Sequence, residues 1–453
     1  MSTPTVAESL ARAVARARGR ELPARLRATL ELLLVDIGGL CVAARRADYV
    51  GSAIAGWEGE GRATAIGHAR ALDAAGAAFV NGTAAHGEDY DDTFEGGPVH
   101  AGAVVVPAVL AIAEREGLSG DAALFGIAVG VDVVCRASLV APKRIHEAGF
   151  HPTAVLGAMG AAAGVAAALG LEEGDFVSAQ GIAGSMAGGI IEYLAEGAWT
   201  KRMHPGWAAQ SGIRAVELAR AGFIGPRTVW EGTHGLLHGF AHTTEGAWER
   251  LTGDFGERWV AETIAFKPYP CGTMIHPYID CARRLAKRGA KLDEIDAITC
   301  DVGEGTVHRL WEPLAAKRRP PNGYAAKFSQ PWCIAYALVH GQVGLEAFAD
   351  ARMADERVAA LAAKVRYRVD PQNPYPDEFT GHVELRLADG STIEERQAHL
   401  RGGAREPLTA RDVEEKFRAN SVYGGWDEAR AHGWLAFVRS LAGNPIDLSP
   451  FRG

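Results

Sequence analysis

Residues 81–114 read NGTAAHGEDYDDTFEGGPVHAGAVVVPAVLAIAE and join a dense polar segment to an uncharged apolar run. His86, Asp89 and Thr93 are three and then four residues apart, so a helix through this segment would place them on one face. The Gly-Gly-Pro turn that follows would end that helix, and His100 stands just before or inside the next one. Acid, hydroxyl and imidazole groups beside an apolar helix favour a site that moves protons. A helix end with capping residues and a solvated acidic loop explains the same spacing.

The composition is that of an ordinary globular protein and excludes one large class of partner. The chain has 453 residues, a net charge of −8, 48% hydrophobic residues and 23% charged residues. This length favours two domains. Nucleic-acid binding is not expected, because it needs a clustered excess of lysine and arginine. The six cysteines are scattered and form no CxxC pair, so we expect reduced core residues in a cytoplasmic protein.

One segment has the length of a membrane span. Residues 152–171 carry no charge, but they are mostly alanine and glycine. Such a composition suits close helix packing within a protein better than contact with lipid. Gly157, Gly160 and Gly164 would let a neighbouring helix approach closely. We therefore expect no membrane segment.

Helical patterns dominate the first part of the chain, and strand patterns appear later. Apolar residues from Leu26 to Cys41 recur at helical spacing. Further predicted helices cover 71–86, 104–116, 122–139, 152–171, 176–194 and 208–221. Predicted strands cover 295–302, 365–369, 383–387 and 391–396, the last two joined by an Ala-Asp-Gly turn. From Thr409, which forms a capping-box pattern with Asp412, the chain returns to helix.

These patterns predict a mainly α protein. A large all-helical bundle domain is expected at 1–268 and 402–453. A smaller α+β lid domain is expected to be inserted at 269–401.

Four further segments carry groups that could act in chemistry. His151 stands in a GFHPT turn, and Lys201 stands between an apolar helix and a turn. Lys267 and His276 belong to KPYPCGTMIH, near the predicted domain junction, where ligand sites are common. Arg318 lies in a basic loop that could cover a polyanion. Structural explanations exist for each: a turn histidine, a basic turn at a helix end, a proline-stiffened linker and a solvated loop.

The set of candidates indicates a reaction class. It combines imidazoles, lysines and carboxylates, without a Ser–His–Asp order, a phosphate-binding loop or a metal motif such as HExxH. Such groups suit removal of a proton next to a carboxylate while cations hold the carboxylates. We expect no cofactor and no metal.

Six motifs, in this order, resemble the MmgE/PrpD family: NGTAAHGEDYDDT, PAVLAIAE, GFHPTAVLGAMGAAAG, WTKRMHPGWAAQSG, GFIGP and FKPYPCGTMIHPYID. The resemblance spans nearly the whole chain. It implies a helical core, a smaller α+β lid, a cleft between them, a homodimer and no cofactor. The family includes 2-methylcitrate dehydratase, cis-aconitate decarboxylase and iminodisuccinate epimerase.

The resemblance also assigns expected roles to residues of this chain. By motif, the catalytic residues are Asp89, His100, His151 and Lys201, and the substrate-binding residues include Thr93 and Lys267. His276 and Arg318 complete the predicted substrate-binding set.

Two positions depart from the pattern expected of cis-aconitate decarboxylase. Gly272 stands where a histidine is expected and Trp332 where a tyrosine is expected. These departures count against decarboxylation.

Three hypotheses follow for the function. The first is a hydro-lyase that dehydrates a 2-methylcitrate-like hydroxy-polycarboxylate. The second is an epimerase of an iminodisuccinate-like dicarboxylate, which needs a base on each face, and a cis-aconitate-type decarboxylase is a further alternative. The third is a helical scaffold that has lost the chemistry.

Overall fold

The computed structural model describes residues 3–289 and 291–453 and divides into two compact units. The first unit comprises Met1–Ala265 and Thr409–Gly453, and the second comprises Phe266–Leu408. The chain is 56% helical with only small sheets, so the predicted mainly α fold with a smaller α+β region is confirmed.

The first unit is a helical assembly with two short β-ribbons. Its helices before the second unit are α1 (Val6–Ala17), α2 (Ala24–Ala44), α3 (Asp48–Ala55), α4 (Ala74–Gly87), α5 (Gly102–Glu116), α6 (Gly120–Ser138), α7 (Arg144–Glu147), α8 (Pro152–Leu169), α9 (Glu173–Met186), α10 (Tyr193–Glu196), α11 (Thr200–Arg220), α12 (Leu236–Ala241) and α13 (Glu249–Thr252). Its antiparallel ribbons are β1 (Glu60–Thr64) with β2 (Ala71–Leu72), and β3 (Thr93–Phe94) with β4 (Ile264–Ala265). The sequence predicted neither ribbon, because two-residue strands leave almost no alternating pattern.

Helices α6 and α8 pack closely because glycines meet along their contact. A Cβ on Gly160 would overlap Val134 and lie 2.8 Å from the carbonyl oxygen of Gly130. One turn further on, a Cβ on Gly164 would lie 2.7 Å from the carbonyl oxygen of Gly126. The prediction that glycines in this segment admit a neighbouring helix is therefore confirmed.

Among residues 3–289 and 291–453, α8 is also the one helix that is long and apolar enough to cross a membrane. Its 18-residue window is 94% buried inside the protein, as for a core helix of this composition.

Several predicted element boundaries are wrong, and three of the errors concern the candidate site. The predicted helix does not continue to Thr93, because α4 ends at Gly87 and Thr93 begins β3. The predicted helix at 176–194 ends at Met186, before Gly188 and Gly189. The helix predicted at 208–221 begins at Thr200, so Lys201 lies in the first turn of α11 and not in a turn after an apolar helix.

The second unit contains a four-stranded sheet packed against helices. Its helices are α14 (His276–Lys287), α15 (Glu304–Leu310), α16 (Leu314–Arg318), α17 (Gly323–Ala326), α18 (Gln330–His340) and α19 (Glu356–Ala362). Its strands are β5 (Ile295–Val302), β6 (Val365–Val369), β7 (Gly381–Leu387) and β8 (Thr392–Gln397). The sheet order is β6-β5-β7-β8; β5 and β6 are parallel and the other pairs antiparallel. The predicted β7–β8 hairpin is confirmed.

The chain then returns to the first unit through α20 (Ala410–Tyr423) and α21 (Glu428–Arg439). The predicted capping box of Thr409 and Asp412 opens α20. Helix α20 packs on α2, where Lys416 Nζ lies 2.7 Å from Asp36 Oδ1. All six cysteines are buried, and none forms a disulfide within the described chain.

Candidate active site

The end of α4 and the loop after it supply the acidic part of the candidate site. His86 lies in the last turn of α4. Asp89 then adopts a left-handed backbone conformation with a φ of 53°, which aspartate tolerates better than most residues. Beyond this turn, the side chains of Asp91 and Asp92 are fully buried. A tight turn, and not the predicted helix face, therefore brings these acids inward.

Asp91 and the backbone of Asp92 orient two imidazoles. His86 Nδ1 lies 2.7 Å from Asp91 Oδ2. His100 Nδ1 lies 2.6 Å from the carbonyl oxygen of Asp92 and 3.7 Å from Asp91 Oδ2. A carbonyl oxygen can only accept a hydrogen bond, so His100 carries a hydrogen on Nδ1. Nε2 of His100 is therefore the nitrogen that can gain or lose a proton.

Four imidazoles follow one another in space, and we call them the histidine file: His100, His86, His151 and His204. The ring centroids are 4.9 Å apart for His100 and His86, and 5.7 Å for His86 and His151. His151 and His204 are 5.3 Å apart between centroids, with their Nδ1 atoms 3.1 Å from each other. All but His100 are buried. Residues from α4, α8, α11 and the segment before α5 thus converge in one place.

His151 and His204, the last two imidazoles of the histidine file, are held in the neutral form. Burial lowers the pKa of His151 well below its usual range, and the neighbouring His86, Lys201, His204 and His100 lower it further. Burial, with smaller contributions from His86 and Lys201, lowers the pKa of His204 to about 4. A neutral imidazole has an unprotonated nitrogen and can accept a proton.

The backbone around His151 fixes its place in the file. His151 is the N-cap residue of α8, and Pro152 follows at the first helical position as predicted. The N–H of His151 donates to the carbonyl oxygen of Gly189 at 2.8 Å. Thr153 Oγ1 accepts a hydrogen bond from the backbone N–H of His100 at 3.2 Å. The backbone of His100 is thereby hydrogen-bonded to the first turn of α8, two residues after His151.

Lys201 brings a positive charge to the same group of residues. Its Nζ forms an ion pair with Asp89 Oδ1, and the two side chains are 12% and 5% exposed. Thr93, in β3, is also buried. The structure therefore places Asp89, His100, His151 and Lys201 in one unit and in one neighbourhood, while their catalytic roles stay predictions.

A cation could also be held in this region. His86, Asp91 and His100 each offer one possible ligand atom, and these atoms lie within 4.8 Å of one another. Within residues 3–289 and 291–453, this is the group that meets that distance criterion. Two of these three residues already contact each other, because His86 Nδ1 lies beside Asp91 Oδ2.

The remaining predicted residues belong to the second unit. Lys267 is 4% exposed there. His276 is buried at the start of α14, and its Nε2 lies 3.2 Å from the carbonyl oxygen of Cys271. Arg318 donates from Nε and Nη2 to the carbonyl oxygen of Val365, at 3.1 Å and 2.6 Å. These contacts organise the second unit itself, and the substrate-binding roles of the three residues stay predictions.

The two departures from the decarboxylase pattern have different surroundings. Trp332 is buried in the apolar core of the second unit, within α18. At Gly272, a Cβ would meet its nearest atoms at 3.6 Å or more, so a larger residue has room to begin there. Trp332 is accordingly a packing residue of the second unit.

The catalytic and substrate-binding residues predicted from the sequence do not include two members of the histidine file. The spacing groups His86 with Asp89 and Thr93 but assigns it no catalytic or binding role, and His204, within WTKRMHPGWAAQSG, is not singled out. The available signal was the three-residue spacing of Lys201 and His204, which puts both on one face once α11 is recognised.

Fold and site together define a class: a mainly α protein with a buried polar site in its helical unit that is suited to proton transfer. The chain belongs to the MmgE/PrpD family. Residues 8–249 match the model of the MmgE/PrpD N-terminal domain, and residues 269–434 match that of the C-terminal domain. The predicted family resemblance is thereby confirmed.

Several relatives are similar to this chain over most of their length. A cis-aconitate decarboxylase-like protein, oryM, of Aspergillus oryzae is 28% identical over 83% of this chain and 82% of the relative. Cis-aconitate decarboxylase of Homo sapiens is 30% identical over 78% and 73%. Cis-aconitate decarboxylase of Aspergillus terreus is 26% identical over 85% and 82%. Decarboxylases are lyases, so these relatives support a lyase-type function.

Proposed function

We propose that this protein is a cofactor-independent lyase that acts on a small polycarboxylate by moving a proton at a carbon next to a carboxylate. The observation that carries the proposal is the histidine file, in which a neutral, buried His151 lies among other imidazoles and near a lysine. A neutral imidazole is the form that can remove a proton, and the ammonium group of Lys201 can stabilise the negative charge that develops on a carboxylate.

Dehydration is the candidate reaction that the geometry favours, because elimination of water needs a base and an acid in different surroundings. His151 has lysine and histidine neighbours and accepts the proton from the substrate carbon. His100 has Asp91 at 3.7 Å, and a nearby carboxylate supports a positive charge on an imidazole. His100 Nε2 then donates a proton to the departing hydroxyl group. The electron pair of the C–H bond becomes the new double bond, and water leaves.

Decarboxylation is the second candidate, and the names of the relatives favour it. In this reaction the C–C bond to one carboxylate breaks, carbon dioxide leaves, and the electron pair forms an enolate that is then protonated at carbon. The same imidazoles supply that proton, and Lys201 again stabilises the enolate. Net dehydration takes up no proton from solvent, whereas net decarboxylation consumes one for each carbon dioxide released.

The substrate test uses purified protein with 2-methylcitrate, citrate and cis-aconitate in deuterated buffer, followed by proton NMR and by assay of carbon dioxide. A new alkene without carbon dioxide supports dehydration, and carbon dioxide with a deuterated product supports decarboxylation. Deuterium entering recovered substrate without elimination would instead support the epimerase alternative. No conversion and no exchange across the panel would refute the proposal.

A further inference from the structure

His204 is the last imidazole of the histidine file, and it borders open space on its far side. It lines a cavity of about 490 Å³ together with Gly189, Tyr193 and Trp207. His151 is equally buried, at 5% exposed, but it is not among the residues that line this cavity. The ring of Tyr193 lies beside both imidazoles. Its centroid is 6.1 Å from that of the His151 ring and 5.8 Å from that of the His204 ring.

The contact between the two Nδ1 atoms couples the hydrogen positions of the two rings. At 3.1 Å, one Nδ1 donates and the other accepts, so a single hydrogen lies between two neutral rings. If His151 is to accept a proton at Nε2, its own hydrogen must stand on Nδ1 and point to His204. His204 then accepts at Nδ1 and carries its hydrogen on Nε2. This is the arrangement that a proton relay requires.

We propose that His204 is a relay residue that passes protons between His151 and the cavity, a role that rests on the function proposed above. When His151 takes a proton at Nε2, its Nδ1–H bond breaks and that proton forms a bond to Nδ1 of His204. The Nε2–H bond of His204 breaks in turn and releases a proton to water in the cavity. Both rings end neutral, and one proton has crossed. The same steps in reverse deliver a proton to the substrate.

The surroundings of His204 suit a group that transfers protons without keeping them. The neighbours that act on its charge are His86 and Lys201, both of which disfavour a positive charge on the ring. Gly189 leaves room for the imidazole of His204, since a Cβ at position 189 would lie 3.3 Å from Nδ1 and Cε1 of that ring. The φ of Gly189 is 120°, which other residues rarely adopt.

The first experiment compares His204→Asn, His204→Ala and the exposed control His432→Gln. The side-chain oxygen of Asn can replace Nδ1 as an acceptor but cannot relay a proton. We expect His204→Asn to lower kcat by roughly 10²-fold with KM nearly unchanged. We expect His204→Ala to lose kcat similarly and to regain it as imidazole is added, because the cavity admits the missing ring. The His432→Gln variant should match the parent protein.

Two results would overturn the relay: full kcat in His204→Asn, or a loss in His204→Ala that imidazole does not reverse. Failure of the proposed function is seen separately, as absence of turnover by the parent protein on every acid tested.

The second experiment needs no turnover and reads the hydrogen positions directly. Proton–nitrogen NMR of the parent protein with ¹⁵N-labelled histidine should show His151 with its hydrogen on Nδ1 and His204 with its hydrogen on Nε2. We expect His204→Asn to keep the His151 tautomer and His204→Ala to release it. A hydrogen on Nε2 of His151 in the parent protein would rule out the relay.

Discussion

Lys201 Nζ contacts Asp89 Oδ1, although 112 residues separate them in the chain. The pair connects the first turn of α11 to the loop that follows α4. Both side chains are largely withdrawn from solvent, so the charges interact more strongly than an exposed pair would. Asp89 thereby holds the lysine head group near the histidine file, where a substrate carboxylate would need it.

Replacement of Lys201 should remove activity without removing the fold. We expect Lys201→Ala to lower kcat/KM by about 10²-fold or more, because the developing enolate loses its cation. The far-ultraviolet circular dichroism spectrum and the molecular size should stay those of the parent protein. Lys291→Ala is the matched control, since Lys291 pairs with Glu294 at 2.9 Å on an exposed surface. Unchanged turnover in Lys201→Ala would contradict the role proposed for this residue.

The pH dependence of kcat/KM should report the neutral state of His151. Burial disfavours its imidazolium form, so the ring is already unprotonated at pH 6.5 and is lost as a base only when the pH falls through the lowered pKa. We therefore expect the acidic limb of kcat/KM to lie well below pH 6.5. The profile should be corrected for ionisation of the substrate, and circular dichroism should confirm that the protein stays folded. An acidic limb at or above pH 6.5 would show that burial does not keep this base neutral.

The sequence could predict candidate residues where a local motif carries them. His100 and His151 flank clear helix starts, and both lie in the histidine file. The path of the chain after α4 was harder to predict from the sequence. The left-handed backbone conformation of Asp89, and not a helix face, turns the acidic side chains inward. Left-handed aspartates have only a weak sequence signature, so the helical spacing prevailed in the prediction.

His204 shows a second limit of sequence reasoning. Pro205 removes a backbone hydrogen bond and usually ends a helix, yet α11 continues through it. Packing explains this outcome, because a Cβ on the next residue, Gly206, would overlap the carbonyl oxygen of Phe79 in α4. Tertiary contact between α11 and α4 therefore overrides the local preference, and no single-sequence pattern records it.

Removal of divalent cations should leave activity intact if the reaction needs no metal. His86, Asp91 and His100 could approach a cation, but His86 Nδ1 already contacts Asp91 at 2.7 Å and His100 Nδ1 donates to the backbone of Asp92. We expect turnover to be unchanged after dialysis against a chelator and after addition of Mg²⁺, Mn²⁺ or Zn²⁺. Metal analysis of the dialysed protein is the control. Loss of turnover that one of these ions restores would contradict the proposed mechanism.

Lys416 should stabilise the acidic loop of the candidate site through its contacts with Asp36 and Tyr90. Its Nζ lies 2.7 Å from Asp36, donates to the carbonyl oxygen of Tyr90 at 2.6 Å and stands 3.9 Å from the centre of the Tyr90 ring. Burial lowers the pKa of Lys416, and Asp36 opposes that effect. Replacement of Lys416 removes the ion pair from the buried carboxylate of Asp36, a change that typically costs about 3–5 kcal/mol.

We expect Lys416→Met to lower the free energy of unfolding by about that amount in urea titrations, and to lower turnover because Tyr90 belongs to the loop between Asp89 and Asp91. The double variant Lys416→Met/Asp36→Asn should recover part of the stability, because it removes the buried charge. Arg411→Met is the control on the same helix, since its pair with Glu415 is exposed and contributes little. If the double variant is no more stable than Lys416→Met, the buried charge is not the cause of the loss.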